Sequence, residues 1–266
     1  MSDLVSEAAR PGAAASQLPQ FYAGAEPLDR NRHAGLRLRP HAGFAFAASA
    51  NAVPLLIGEF ALAAVSMPIV FAGQGEVVRP VAVTGLRQGR NLFVGAEGVW
   101  AKGVHIPAHL RRVPFLLLTA PAAPGAETDA PRLLLGIDPH SPRFSEDPTE
   151  PDAASLFVDG EPSPETLNAR DFCLAHHRDV EATNRAADAL SAAGVLVAQQ
   201  GKVELSGGEI LRLTDFKVVD EAKLNALPDA EIAKLRASGA LAAAYCHLVS
   251  LNSFPALSAR LAEQGG

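Results

Sequence analysis

Residues 91–115 read NLFVGAEGVWAKGVHIPAHLRRVPF and hold the chain's single tryptophan, Trp100, two of its eight histidines, His105 and His109, and the adjacent arginines Arg111 and Arg112. An indole, imidazoles and two guanidiniums this close together can pair with a buried acid or form a binding surface. The acid that such a group could meet is Glu59, the single charge in AVPLLIGEFALAAVSMPIVFA, residues 52–72. Leu55, Leu56, Leu62 and Ala63 occupy its neighbouring positions on a helix. A carboxylate on such a face must be neutral, paired or part of a site. Arg111 and Arg112 are its expected partners. Neighbouring residues of a helix diverge by about 100°, so one arginine faces the acid and the other faces solvent or a partner molecule.

Other constellations carry less chemistry. His247 and Ser250 are spaced to hydrogen-bond across one helical turn, but a hydrolase also needs an oxyanion hole and an orienting acid, which the sequence does not mark. A polar pair that stabilises its helix is the expectation. HRDVEATN places His177, Arg178, Asp179 and Asn184 at the spacing of a kinase catalytic loop, yet Lys217 follows Asp215-Phe216 where a glycine is required, and the segment reads as helix interior. His177 and Asp179 point about 200° apart on that helix, so they cannot chelate one iron together with His247. Cys173-x-x-His176 with Cys246-His247 has the chemistry for zinc, but such ligands are usually launched from turns, and Cys173 reads as a small core hydrophobe. No nucleotide-binding fingerprint or nucleophile elbow is present, so neither a cofactor nor a metal is expected.

The elements that must position these residues follow from punctuation and periodicity. Residues 1–30 are rich in Ala, Gly and Pro and read as a flexible lead-in. Strands are expected at GFAFAAS, PIVFAG, PVAVTGL, NLFV and VPFLLLTA, with a buried helix capped by Asn51 ahead of PIVFAG. Nine of the twenty prolines fall between Pro121 and Pro164, which predicts a surface loop region interrupted by the short strand RLLLGID. Ser163 as N-cap, Pro164 at the first helical position and Gly194 at the end bound a long helix, on which Cys173, His176, Val180, Thr183, Ala187 and Leu190 share a face. A hairpin turning at Gly207-Gly208 and helices punctuated at Pro228, Gly239 and Pro255 complete the chain. The fold class is therefore α+β, an antiparallel strand-rich N-terminal half with helices largely from the C-terminal half packed on it, forming one domain over 31–262.

With 48% hydrophobic and 20% charged residues the chain is globular, and an excess of 29 acidic over 23 basic residues argues against nucleic acid as a partner. Two cysteines cannot make a disulfide framework, and Asp3 and Glu7 interrupt any signal peptide, so a cytoplasmic location is expected. Residues 52–72 are long enough to span a bilayer, but Glu59, Pro54 and Pro68 oppose insertion.

The segment NLFVGAEGVWAKGVHIPAHLRRVPF resembles the signature of the SapC family, an N-L-F-V run and G-x-W followed by P-A-x-L-R-R-x-P-F. VPLLIGEFALAAVSMPIVF and SGALAAAYCHLVSLNSFPAL resemble that family's earlier and later elements, so the likeness runs from about residue 30 to residue 260. Met67 and His105 stand where the family commonly has tyrosine, departures expected to touch neither the acid nor the arginines. The family is named for a surface-layer locus, and the resemblance implies a non-catalytic accessory role in surface-layer or surface-peptide metabolism with a protein or peptide partner. The alternative is a small-molecule or peptide-modifying enzyme built on Glu59, Trp100 and Arg111 or Arg112. The candidate cluster comprises Glu59, Asn91, Trp100, His109, Arg111, Arg112, His247 and Ser250.

Overall fold

The computed structural model describes residues 2–3, 18–40, 43–75, 77–122, 131–204 and 210–265. In chain order the longer elements are strand β1 (Ala52–Pro54), a 3-10 turn (Ile57–Glu59) leading into helix α1 (Phe60–Ala63), and strands β2 (Ile69–Gln74) and β3 (Val77–Val83). Strands β4 (Phe115–Ala120) and β5 (Arg132–Ile137) precede the long helix α2 (Pro164–Ala192). Strands β6 (Leu196–Glu204) and β7 (Ile210–Val219) are followed by helices α3 (Glu221–Asn225), α4 (Asp229–Ala237), α5 (Ala240–Ser250) and α6 (Phe254–Glu263). The fold is α+β, with antiparallel sheets in the N-terminal half and helices concentrated in the C-terminal half. Two compact units form: a larger one containing Phe44–Leu110 and Asp179–Gly266, and a smaller one of Ala15–Gly43 and Arg111–Arg178.

In the larger unit the main sheet runs β6-β7-β2-β3-β1 with these neighbours antiparallel, and the two-residue strand Ser2–Asp3 adds to β7 in parallel. Ile69, Val70, Phe71 and Ala72 of β2 are all buried in succession, which requires cover on both faces of the sheet. Helix α5 provides part of that cover, packing on β7, β2 and α1 with Ala240, Ala243, Ala244 and His247 inward. β6 and β7 pair as the expected hairpin, Glu204 opposite Ile210, while Gly207 and Gly208 lie outside the described residues.

Residues 52–72 are not one helix followed by a strand. Pro54 closes β1, helical structure is confined to Ile57–Ala63, and Pro68 bars its extension into β2. Asn51 caps nothing: its carbonyl accepts from Thr84 N at 2.9 Å and Gly85 N at 3.0 Å, prolonging the contact between β1 and β3. GFAFAAS forms a 3-10 turn at Ala45–Ala47 rather than a strand, and NLFV forms a turn with one isolated bridge, Val94 to Trp100. Both runs are apolar because they feed an aromatic cluster. A short apolar run has no period to distinguish that use from a strand.

In the smaller unit β4 pairs antiparallel with β5, whose other edge takes Glu26–Pro27. Its core is Leu36, Phe115, Ile137, Phe144, Leu156 and Cys173, with Phe115 and Phe144 edge to face at 5.8 Å. Ile137, Phe144 and Leu156 come from the proline-rich stretch, so that stretch supplies core side chains between its turns.

Helix α2 begins and ends where its sequence signals stand. Ser163 Oγ accepts from Thr166 N at 3.2 Å, and Gly194 takes φ +68° beyond the last turn. Cys173, His176, Thr183, Ala187 and Leu190 are buried and Val180 is half-buried, which makes the expected face the inward one. Replacing Ser163 by alanine is expected to lower stability by about 1 kcal/mol, read as a lower urea midpoint with an unchanged slope.

Candidate functional site

Glu59 ends the 3-10 turn and is 7% exposed. The turn aims its carboxylate back at the chain: Oε2 accepts from Leu56 N at 3.2 Å, and Oε1 accepts from Ala108 N at 2.8 Å. His105 Nε2 lies 2.7 Å from Oε1 with its side chain 15% exposed, adding a side-chain group to the shell around the acid. His105 therefore does touch the acid, against expectation. An imidazole nitrogen donates to a carboxylate as a tyrosine hydroxyl would, so the departure from the family pattern preserves a donor at this position.

Trp100 is buried in an aromatic cluster of the larger unit, stacked on Phe93 at 5.8 Å and edge-on to Phe44 at the same 5.8 Å. Gly98 and Gly103 flank it with φ of +74° and +77°, as the turn on either side requires. Gly98 is also crowded, since a Cβ there would stand 2.9 Å from Ala45 Cβ. Arg260 covers the outer ring, its guanidinium 4.7 Å from the Phe93 centroid. Asn91 pins the same loop: its Nδ2 donates to Ala47 O at 3.1 Å and its Oδ1 accepts from Phe93 N at 2.9 Å.

His247 and Ser250 do not bond side chain to side chain. Ser250 Oγ instead donates to the backbone carbonyl of His247 at 2.6 Å, a back-bond within its own helix, and accepts from Ile69 N at 2.9 Å. His247 Nε2 accepts from Val219 N at 3.0 Å, which places the ring proton on Nδ1. Together they fasten α5 to the first residue of β2 and the last of β7.

His109 and Arg111 lie on the helical turn Ala108–Arg111, which Pro107 opens by accepting from Leu110 N at 2.9 Å. The chain then reverses over Arg112–Phe115, with Phe115 N donating to Arg112 O at 2.8 Å and the Val113-Pro114 bond cis. In the smaller unit the Arg111 guanidinium sits 5.1 Å over the ring of Phe172, and that of Arg112 sits 5.4 Å over the ring of Tyr22. The Tyr22 hydroxyl donates to Phe115 O at 2.6 Å, and burial raises the pKa of the phenol.

The charge of Arg112 reaches its neighbours. Burial first, then Arg112, pushes the His176 imidazole down to about 3, while burial pushes the Cys173 thiol up to about 11 against the pull of the same arginine. Both groups are therefore neutral at physiological pH, and Cys173 is the core hydrophobe its sequence context predicts. Among the described residues no group of three His, Cys, Asp or Glu side chains is placed to hold a metal ion. The segment resembling a kinase loop lies inside α2.

The structure thus sorts the candidates by unit. Glu59, Asn91, Trp100, His247 and Ser250 hold the larger unit together, while Arg111 and Arg112 line a cavity of about 370 Å3 in the smaller one. Sequence reasoning missed Arg143, which lines the same cavity and donates from Nη1 to Val113 O at 2.7 Å. It also missed Thr183, whose Oγ1 accepts from Ile57 N at 2.9 Å. Neither carries a motif. A threonine on the inward face of a helix was the single available hint.

The order of motifs has a counterpart among known families. A family profile described as SapC matches residues 28–257, so the chain belongs to the SapC family. No curated protein and no solved structure shows significant similarity to it.

Two outcomes test these assignments. Glu59→Ala leaves the Leu56 and Ala108 N–H groups without their acceptor and is expected to cost about 2 to 4 kcal/mol in a denaturant titration. Burial pushes the His247 imidazole down to about 4, below its ordinary value of about 6.5. The fold holds the neutral form, so this contribution is complete above about pH 6.5 and is lost as pH falls from there through about 4, to a limit of about 3 kcal/mol. His247→Gln keeps an acceptor but cannot ionise. Its unfolding midpoint should fall less between pH 7.5 and pH 4.5 than that of the unaltered protein.

Proposed function

We propose that this SapC-family protein is a non-catalytic accessory protein of surface-layer or surface-peptide metabolism, acting in the cytoplasm on a protein or peptide partner. The observation that carries this reading is the use made of its most reactive candidates. A nucleophile or general acid must present its oxygen or nitrogen to a substrate. Here Ser250 Oγ, His247 Nε2 and both oxygens of Glu59 are engaged with backbone N–H groups of their own unit. Leu62, Val65, Tyr245 and Val249 are exposed on and beside the mutually packed helices α1 and α5, which supports a protein contact on that face.

A second reading, a peptide- or small-molecule-modifying enzyme, draws on the pair formed by Glu59 and His105. An imidazole held 2.7 Å from a carboxylate can serve as an oriented base. Cross-linked capture from native cells separates the two. The unaltered protein is expected to recover one defined partner, and Val249→Glu, an exposed change, to recover at least tenfold less. Equal recovery from both would remove support for the helical face. Loss of function in cells with His105→Gln, while the partner is still recovered and the protein still folded, would favour the enzyme.

A further inference from the structure

We infer that the cavity of about 370 Å3 in the smaller unit is a binding site for a small molecule carrying a carboxylate on an apolar body. Its size falls in the range of small-molecule pockets. Three arginines line it, Arg111, Arg112 and Arg143, against one carboxylate, the exposed Glu165.

The charges are what need explaining. Three other arginines of this unit have carboxylate partners, Arg32 with Glu26, Arg39 with Glu150 and Arg170 with Asp171, while Arg37 bonds Ser155 Oγ and Ala153 O. Arg112 and Arg143 have none among the described residues, and the Nε of each is buried without a hydrogen-bond partner. Asp138, a buried acid of the same unit, accepts instead from Ala23 N at 2.7 Å and His140 N at 3.0 Å. Burial lowers the proton affinity of Arg143, as expected for a guanidinium removed from water with no anion beside it. Partly buried, unpaired cations are costly, and an anion entering the cavity relieves that cost.

The walls define the rest of the ligand. Phe115, Phe172, Val113 and Pro114 present apolar surface beside the guanidiniums. A free phosphate could meet the guanidiniums but would set the rest of its hydrated surface against these apolar walls, whereas an aliphatic or aromatic body buries its own apolar area there. A guanidinium fork matches the two oxygens of a carboxylate. The bond from Arg143 to Val113 O and the seat of Arg112 over Tyr22 hold both side chains in place before a ligand arrives. The site does not depend on the accessory role proposed above, since it would serve a carrier, a sensor or an enzyme alike.

Calorimetric titration of the full chain with N-acetyl-L-phenylalanine tests the inference. Saturable binding is expected, with N-acetyl-L-phenylalaninamide and inorganic phosphate each at least tenfold weaker. Arg112→Gln and Arg143→Gln should each weaken binding of the acid at least tenfold. Photolabelling of the unaltered protein by 4-benzoylbenzoate keeps the test independent of whether those variants fold. The label is expected within residues 111–115 or 165–172. Binding of the amide or of phosphate as tight as that of the acid overturns the inference, as does labelling confined to other segments or absence of saturable binding for both acids.

Discussion

Backbone N–H groups that fall outside helices and strand ladders must still find acceptors, and this requirement organises the larger unit. Its sheet is interrupted by a turn between β1 and β2 and is met by a helix at the ends of β2 and β7, so several buried donors have no strand opposite them. Side chains fill those positions: Glu59 for Leu56 and Ala108, Thr183 for Ile57, Ser250 for Ile69, Asn91 for Phe93 and His247 for Val219. Each acceptor lies on a different element from at least one of the groups it serves or reaches across a turn. Polar residues that looked like chemistry thus fix the relative placement of α1, α5 and the sheet.

Electrostatics follow from the same requirement. A histidine that must accept a hydrogen bond in the core has to remain neutral, and the burial of His247 guarantees it. A carboxylate, by contrast, tolerates burial when N–H donors converge on it, as they do on Glu59. The acid and the imidazole are opposite solutions to one problem. Neither solution requires a ligand.

The sequence shows these roles unevenly. Helix α2 was legible because cap, proline, glycine and a buried stripe all agree over 29 residues, and agreement at several levels is hard to produce by chance. The β6–β7 hairpin and β2, β4 and β5 were legible from apolar runs bounded by Gly and Pro. GFAFAAS and NLFV misled because their aromatic residues pack around Trp100 from turns, a tertiary use that no local period records. Glu59 was legible as an anomaly, a lone charge among apolar neighbours. Its contacts with His105 and Ala108 were not, since both are far from it along the chain and only the fold brings them together.

The arginines present the complementary case. Their density in LRRVPF is visible in sequence, but the third member, Arg143, comes from a proline-rich stretch without periodicity, so the cavity could not be assembled by inspection. Once assembled, it differs from the Glu59 site in a way that matters. Around Glu59 the protein supplies donors for the charge it buries; around Arg112 and Arg143 the described residues supply rings, a carbonyl and apolar walls, but no carboxylate bonded to either guanidinium. Aromatic faces and a carbonyl orient a guanidinium and recover part of its hydration energy, yet they leave its net charge uncompensated. A buried acid met by donors of its own unit is thereby a structural charge, whereas Arg112 and Arg143 keep a charge that the described residues orient but do not pair.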